Sequence, residues 1–172
     1  MALGSGPGRE ILELANESPD LIRNALFDCY DNDENALEFL SAQLSGKARF
    51  HPKKENVVKI ALKKNISDIF SYKYDFIYST GLFDYFDDRI IQRLLTNLRL
   101  LLNPSGQIAI SDVRDKHSNP SVHFMEWVGE WSLVYRHDDS FRELFLRAGF
   151  SEKEVRSEYE QQGILQYILA GS

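Results

Sequence analysis

Leu3-Gly4-Ser5-Gly6-Pro7-Gly8-Arg9-Glu10 opens the chain with glycine at every second position, and Ile11, Leu12, Leu14 and Ala15 follow at once. Glycine has no Cβ, so a loop of this spacing turns sharply and lets a ligand approach the backbone closely. The helix read behind it, Arg9 to about Asn16, presents its first free N–H groups to the same place. A loop of this kind normally follows a buried central strand. Only Met1, Ala2 and Leu3 precede it, so the first strand is expected to be a stub and the chain a part of a longer protein.

Working outward, Pro19 breaks the first helix. Asn24 to Tyr30 is a short apolar run closing in acids, the pattern of a buried parallel strand. Asp31-Asn32-Asp33 then offers an N-cap to a helix with Ala36, Leu37, Phe39, Leu40 and Leu44 on one face, stopped by Gly46. Ala48-Arg49-Phe50 reads as an edge strand, and Val57 to Leu62 is helix or strand. Tyr74 to Ser79 is aromatic and β-branched, a strand ended by Thr80-Gly81. Asp87-Asp88 caps a helix that turns Ile90, Ile91, Leu94, Leu95, Leu98, Leu101 and Leu102 inward. Asn103 to Gly106 is a turn, and Gln107 to Ser111 the next strand. A helix is expected from about Pro120 to Tyr135, with Phe124, Trp127, Val128, Trp131 and Tyr135 on one stripe. Asp138-Asp139-Ser140 caps a helix from Phe141 to Ala148. Glu154 to Tyr159 and Ile164 to Ala170 read as strands joined by a turn at Gln161-Gln162-Gly163. Strands alternating with helices and a closing hairpin predict an α/β fold: a Rossmann-like sheet, mostly parallel with one antiparallel strand, its first strand truncated.

The 172 residues suit one domain, and 43% hydrophobic with 27% charged residues is the balance of a globular protein. A formal charge of -6 argues against a nucleic-acid backbone as main partner. The basic cluster Lys53, Lys54, Lys59, Lys63 and Lys64 is interrupted by Glu55 and apolar residues and reads as a solvated face. Cys29 is the single cysteine, which excludes an internal disulfide and a cysteine-based zinc site. No apolar run reaches the ~20 residues of a membrane span and no leader is visible, so a cytoplasmic protein is expected.

Ligands of open parallel sheets collect at the carboxyl ends of the strands. The glycine loop is one such end. Asp31 is another, where a carboxylate can take both hydroxyls of a ribose, with Asp28 and Asp33 as weaker candidates and helix capping as the alternative for Asp31. Ser79-Thr80-Gly81-Leu82 is the third, with small residues around an open space. Asn56-Val57 could edge a purine ring. The glycine spacing departs from the Gly-x-Gly-x-x-Gly of dinucleotide loops, where Arg9 stands in place of the third glycine.

The tighter Gly-x-Gly-x-Gly form resembles the first motif of class I S-adenosylmethionine (SAM)-dependent methyltransferases. Tyr74-Asp75-Phe76-Ile77-Tyr78-Ser79-Thr80-Gly81-Leu82-Phe83-Asp84-Tyr85 resembles a segment of the bacterial extracellular-factor 3-hydroxypalmitic acid methyl ester biosynthesis family. So do Asn119-Pro120, Met125-Glu126, Trp131 and Leu133-Val134-Tyr135-Arg136. The resemblance implies a SAM-dependent methyltransferase that esterifies a hydroxy fatty acid into a diffusible cell-density (quorum-sensing) signal. It also implies a SAM site at Gly4, Ser5, Gly6, Gly8, Asp31, Asn32, Asn56, Val57, Ser79, Thr80, Gly81 and Leu82.

A carboxylate acceptor is already ionised at neutral pH and needs no general base. An alcohol or amine wants one, for which His117, His123 and Asp112 are the candidates. Tyr85, Trp127, Trp131 and Tyr135 are expected to wall an apolar acyl channel, with core packing as the alternative for the stripe. Arg136 would hold the acceptor carboxylate as a fork, or else pair with Asp138 or Asp139. The expected partner is therefore a small-molecule acyl substrate. The alternatives are a catalytically silent SAM-binding module, a methyltransferase for another small molecule, and a nicotinamide-dependent oxidoreductase.

Overall fold

A computed structural model of the chain describes residues 1–171, which divide into two compact units, Met1–Lys59 and a second from Ile60 onward. Both units are built of strands and helices in α/β alternation, as the sequence pattern predicts.

In the first unit, β1 is only Ala2–Leu3, yet both residues are buried and pair in parallel with Cys29 and Tyr30 of β2 (Leu26–Asp31). Strand β3 (Arg49–Lys54) pairs in parallel with β2 along its whole length, from Leu26 opposite Arg49 to Asp31 opposite Lys54. Pro52 can sit in β3 because the strand lies at the sheet edge, where one row of N–H groups needs no partner. Helices α1 (Arg9–Glu17), the single turn α2 (Pro19–Ile22) and α3 (Glu34–Leu44) bury Ile11, Ala15, Ile22, Leu37, Leu40 and Leu44. The register fixes where chemistry can sit, because it brings the carboxyl ends of β1 and β2 side by side.

In the second unit, β4 (Tyr74–Ser79) pairs in parallel with β5 (Leu102–Val113). Strand β7 (Leu165–Gly171) runs antiparallel to both β5 and β6 (Arg156–Tyr159), and among the described residues of this unit it is the one reversed strand. The turn expected at Asn103–Gly106 is instead an irregularity inside β5: the register against β4 shifts between Tyr74 and Phe76, and Ser105 takes a φ of 66°. Helix α4 (Val57–Leu62) resolves the helix-or-strand ambiguity, and it straddles the boundary between the units.

Helix α5 (Asp88–Leu100) starts where the Asp87 carboxylate accepts from Ile90 N at 2.9 Å, and it buries Ile91, Leu94, Leu95 and Leu98 as the periodicity requires. The expected long helix from Pro120 to Tyr135 is corrected to a short α6 (Val122–Trp127). The chain leaves helical geometry at Gly129-Glu130, where Glu130 adopts a left-handed φ of 49° and Trp131 N reaches back to Met125 O. Helix α7 (Asp138–Arg147) begins earlier than its acidic triplet suggested, with His137 as the N-cap residue and both aspartates in the first turn. There they complement the positive end of the helix dipole. Its Phe141 and Phe145 stack edge-on at 5.4 Å and are fully buried.

Candidate functional site: a glycine loop closed on an aspartate

The opening loop is anchored at both ends by backbone bonds. Ser5 N donates to Tyr30 O at 3.1 Å, and Gly8 N donates to Ser5 O at 2.9 Å. Gly4, Gly6 and Gly8 all have left-handed φ values, of 62°, 48° and 64°. Their surroundings differ. A Cβ on Gly8 would stand 2.8 Å from Leu40 Cδ1, so this glycine lets the loop pack on α3, whereas a Cβ on Gly6 would meet nothing within 4 Å. Gly6 therefore faces open space.

Asp31 closes the loop. Its Oδ2 accepts from Gly6 N at 2.7 Å, and its Oδ1 accepts from Asp33 N at 2.9 Å. A carboxylate offers about four lone-pair positions, so each oxygen keeps capacity for one further donor, the requirement for gripping two neighbouring hydroxyls. Capping of α3 falls to Asp33, whose side chain accepts from Asn35 N. Asp28 is committed elsewhere: it is buried, with Lys53 Nζ at 2.7 Å and His51 Nδ1 at 3.0 Å. The three acids of this stretch thus have three separate tasks, and only Asp31 faces the loop. Ser5 adds a second feature, since its Oγ is buried without a hydrogen-bond partner among the described residues. Next to the open face of Gly6 this leaves a hydroxyl with an unused donor and acceptor.

Asn32 is exposed just past Asp31, and Glu55 N donates to Asp31 O at 2.9 Å, which brings Asn56 to the same end of the sheet. Asn56 Oδ1 accepts from Val58 N at 2.9 Å and so starts α4. Val57 is buried, which makes it a core residue rather than the open edge expected for a ring.

In the second unit, Ser79 is buried at the end of β4, Thr80 is exposed, and Leu82 is half-buried. Gly81 takes a φ of 70° with open space beside it, and its N–H donates to Ser111 Oγ at 3.3 Å. The aromatic stripe is not core. Phe124, Trp127, Val128 and Trp131 are all exposed, Trp127 to 80%. Trp131 Nε1 donates to Tyr85 OH at 2.9 Å, which ties the segment after α6 to the turn after β4. Tyr135 is half-buried, its hydroxyl without a partner among the described residues, and burial raises its pKa above the ordinary phenol value.

Arg136 corrects an expectation. Its guanidinium is not an open fork but is buried among protein acceptors. Nε donates to Asp88 Oδ1 at 2.9 Å, Nη1 to Asp112 Oδ1 at 3.2 Å, and Nη2 to Phe86 O. Asp138, proposed as its partner, instead takes a two-point pair from Arg114. Burial pushes the Asp112 carboxyl up to about 7, with Arg136 pulling it down and Asp84 pushing it further up. Asp84 is buried as well, with Oδ1 unpartnered among the described residues, and its pKa is raised by the same loss of water. The sequence reading missed Asp84. The available clue was a lone acid inside the apolar run Gly-Leu-Phe-Asp-Tyr-Phe. His117 and His123 are exposed, and His123 leans on Trp127 with ring centres 5.6 Å apart.

In the first unit the middle amide of the glycine loop is thus bonded to the acid that ends the second strand. The methyltransferase-domain family matches residues 1–108, and the chain belongs to that family. Similar folds are found in solved structures. One is a candidate exported protein from Bordetella parapertussis (19% identity, TM-score 0.74, covering 99% of this chain and 60% of that one). A second is a candidate O-methyltransferase from Nostoc punctiforme PCC 73102 (18%, 0.73, 99% and 51%). A third is human N-acetylserotonin methyltransferase in complex with SAM (18%, 0.68, 99% and 46%). The chain thus spans about half to three-fifths of the length of these structures. No curated protein sequence matches. The resemblance to the hydroxypalmitic methyl ester family in particular is not carried by these comparisons, which support the broader class. Among the described residues no helix is long and apolar enough to cross a membrane, and no group of His, Cys, Asp and Glu could hold a metal.

Proposed function

We propose that this chain binds SAM on the Gly4–Gly8 loop and Asp31 and takes part in transferring its methyl group to an apolar small molecule. The observation that carries the reading is the bond from Gly6 N to Asp31 Oδ2, which fixes the carboxylate while leaving lone pairs for two ribose hydroxyls. The group fits the residues present: Ser5 Oγ is buried without a partner, and the Gly6 face is open. When bound, SAM supplies a methyl group on a positively charged sulfur, open to in-line displacement. Asp31 orients the ribose, and Gly6, having no Cβ, keeps the approach to the loop clear of side chains. What remains for the protein is alignment of the reacting atoms.

The acceptor we propose is the carboxylate of a fatty or hydroxy fatty acid, received on Trp127, Trp131 and Tyr85. Those rings offer apolar surface to solvent, and Trp127 and Trp131 come from the stripe that core packing would otherwise have claimed. A carboxylate requires no base, in keeping with exposed His117 and His123. Arg136 is no longer a candidate to hold it, because its donors are engaged by Asp88, Asp112 and Phe86. A second reading, a hydroxyl acceptor, would need a general base, and the raised Asp112 carboxyl is buried against Arg136 rather than open to a substrate.

The test is calorimetric titration of SAM into the chain and into Asp31→Asn, followed by incubation with methyl-labelled SAM and a panel of fatty acids, hydroxy acids, phenols and amines. Base-labile label on the acids is expected. Unchanged SAM affinity in Asp31→Asn would defeat the cofactor site. Base-stable label on phenols would favour the second reading.

A further inference from the structure

The basic stretch that reads as a solvated face in sequence is sorted by the fold into two groups. Lys53 pairs with Asp28, and Lys54 pairs with Glu34 at 2.6 Å. Lys63 and Lys64 do something else. They stand across a cleft of about 460 Å³ from Arg89 and Arg93 of α5, and Ala61, Leu62, Gln92, Thr96 and Asn97 complete its wall.

Three features separate this cleft from an ordinary solvated surface. First, its lining contains four cations and no acid, in a chain with a formal charge of -6. None of the four has an ion-pair partner among the described residues, whereas the neighbouring Lys53 and Lys54 both do. Like charges gathered without counter-charges repel one another, and an anion relieves that repulsion. Second, the walls are fixed. Arg89, Gln92, Arg93 and Thr96 fall on one face of α5 at helical spacing. The opposite wall is held by Asn97, whose Nδ2 donates to Ile60 O at 2.8 Å, Lys63 O at 3.1 Å and Ala61 O at 3.3 Å. That buried amide clamps the end of α4 and with it the backbone that carries Lys63 and Lys64. Third, the volume lies in the range of small-ligand pockets, a few hundred Å³.

We propose that this cleft is a binding site for a soluble ligand carrying two or more adjacent phosphate groups. Arginine forks a turn apart match tetrahedral oxyanions in two-point fashion, and lysines add point charges from the facing wall. An acidic protein surface would be expected to engage a broad, flat patch instead of a concave one of small-molecule size. The site is independent of the glycine loop and of the acceptor reading above.

The experiment titrates inorganic tripolyphosphate into the intact chain by calorimetry at low and at physiological salt. Saturable one-site binding that weakens with salt is expected. Arg89→Gln/Arg93→Gln should weaken it by about tenfold or more and Lys63→Gln/Lys64→Gln by several-fold, since each pair removes half of the site's charge. These side chains are exposed, so melting temperatures should match the parent chain. A control variant, Lys47→Gln/Lys73→Gln, removes the same charge elsewhere and should bind like the parent. Equal weakening in the control, or no saturable binding at low salt, would overturn the proposal. Equally tight binding of a poly-glutamate peptide through the same residues would also overturn it, in favour of an acidic protein partner.

Discussion

Arg136 Nη1 lies 3.2 Å from Asp112 Oδ1 with both side chains buried, so this ion pair of the second unit is hidden from solvent. Asp84 and Asp88 face the same guanidinium region. The cluster therefore holds three carboxylates around one cation.

The pH dependence follows from that imbalance. Loss of water is the largest cause raising the Asp112 pKa from its ordinary 3.8 to about 7, and Arg136 offsets it only in part. The folded state therefore holds the Asp112 proton more tightly than the unfolded chain does. Its stabilising contribution is complete below pH 3.8 and is lost as pH rises through about 7. Asp84, also raised, acts in the same direction. Urea unfolding of the parent chain and of Asp112→Asn across this window should show the parent losing stability relative to the variant as pH rises. Parallel profiles would mean that Asp112 stays ionised throughout.

Removing the cation has a different signature. Arg136→Met leaves Asp112 buried without its partner and frees Phe86 O, so a loss of ~3–5 kcal/mol is expected at pH 8. The loss should shrink below pH 6, where Asp112 is protonated. Adding Asp112→Asn should recover part of it at the higher pH. Denaturant midpoints at the two pH values decide this.

The glycines of the loop should separate by role. Gly8→Ala places a methyl 2.8 Å from Leu40 Cδ1 at a φ of 64°, so strain and crowding add, and ~1–3 kcal/mol of stability should be lost. Gly6→Ala meets open space and keeps only the backbone strain of its φ of 48°, about 1–2 kcal/mol. Its added methyl enters the face proposed for SAM. Melting temperature should thus fall more for Gly8→Ala, and SAM affinity more for Gly6→Ala.

Legibility tracked sequence distance. The strand ending at Asp31, the caps at Asp33 and Asp87 and the apolar face of α5 are local patterns, and the chain spells each within about a dozen residues. The stripe from Phe124 to Tyr135 has helical spacing but no core to face, and the chain leaves the helix at Gly129-Glu130. Arg136 was unreadable because Asp112 and Asp88 lie 24 and 48 residues away from it. The same distance hid the grouping of Lys63 and Lys64 with Arg89 and Arg93. Spacing along a chain tells which face a residue takes, not which other element will stand opposite.

Asn97 offers a test of how the second unit is held together. Its buried side-chain amide donates to three backbone carbonyls at and just beyond the end of α4, where helical donors run out and Ile60 O has only a 3.4 Å bond from Lys63 N besides. Asn97→Ala would take the side-chain donor from all three, leaving Ile60 O only its long bond from Lys63 N, and open a small void, with an expected cost of ~1–3 kcal/mol. Asn97→Asp is isosteric but replaces the donating amide with an acceptor facing carbonyl oxygens, and it should be worse than alanine. Asn97→Gln keeps the amide but displaces it by a methylene, and should fall between the parent and alanine. Hydrogen exchange supplies the local readout: amides of residues 60–64 should lose protection in Asn97→Ala before those of the α5 core at Leu94 and Leu95. If protection at residues 60–64 is unchanged while global stability falls, Asn97 acts by filling space, and the clamp on α4 is not its role.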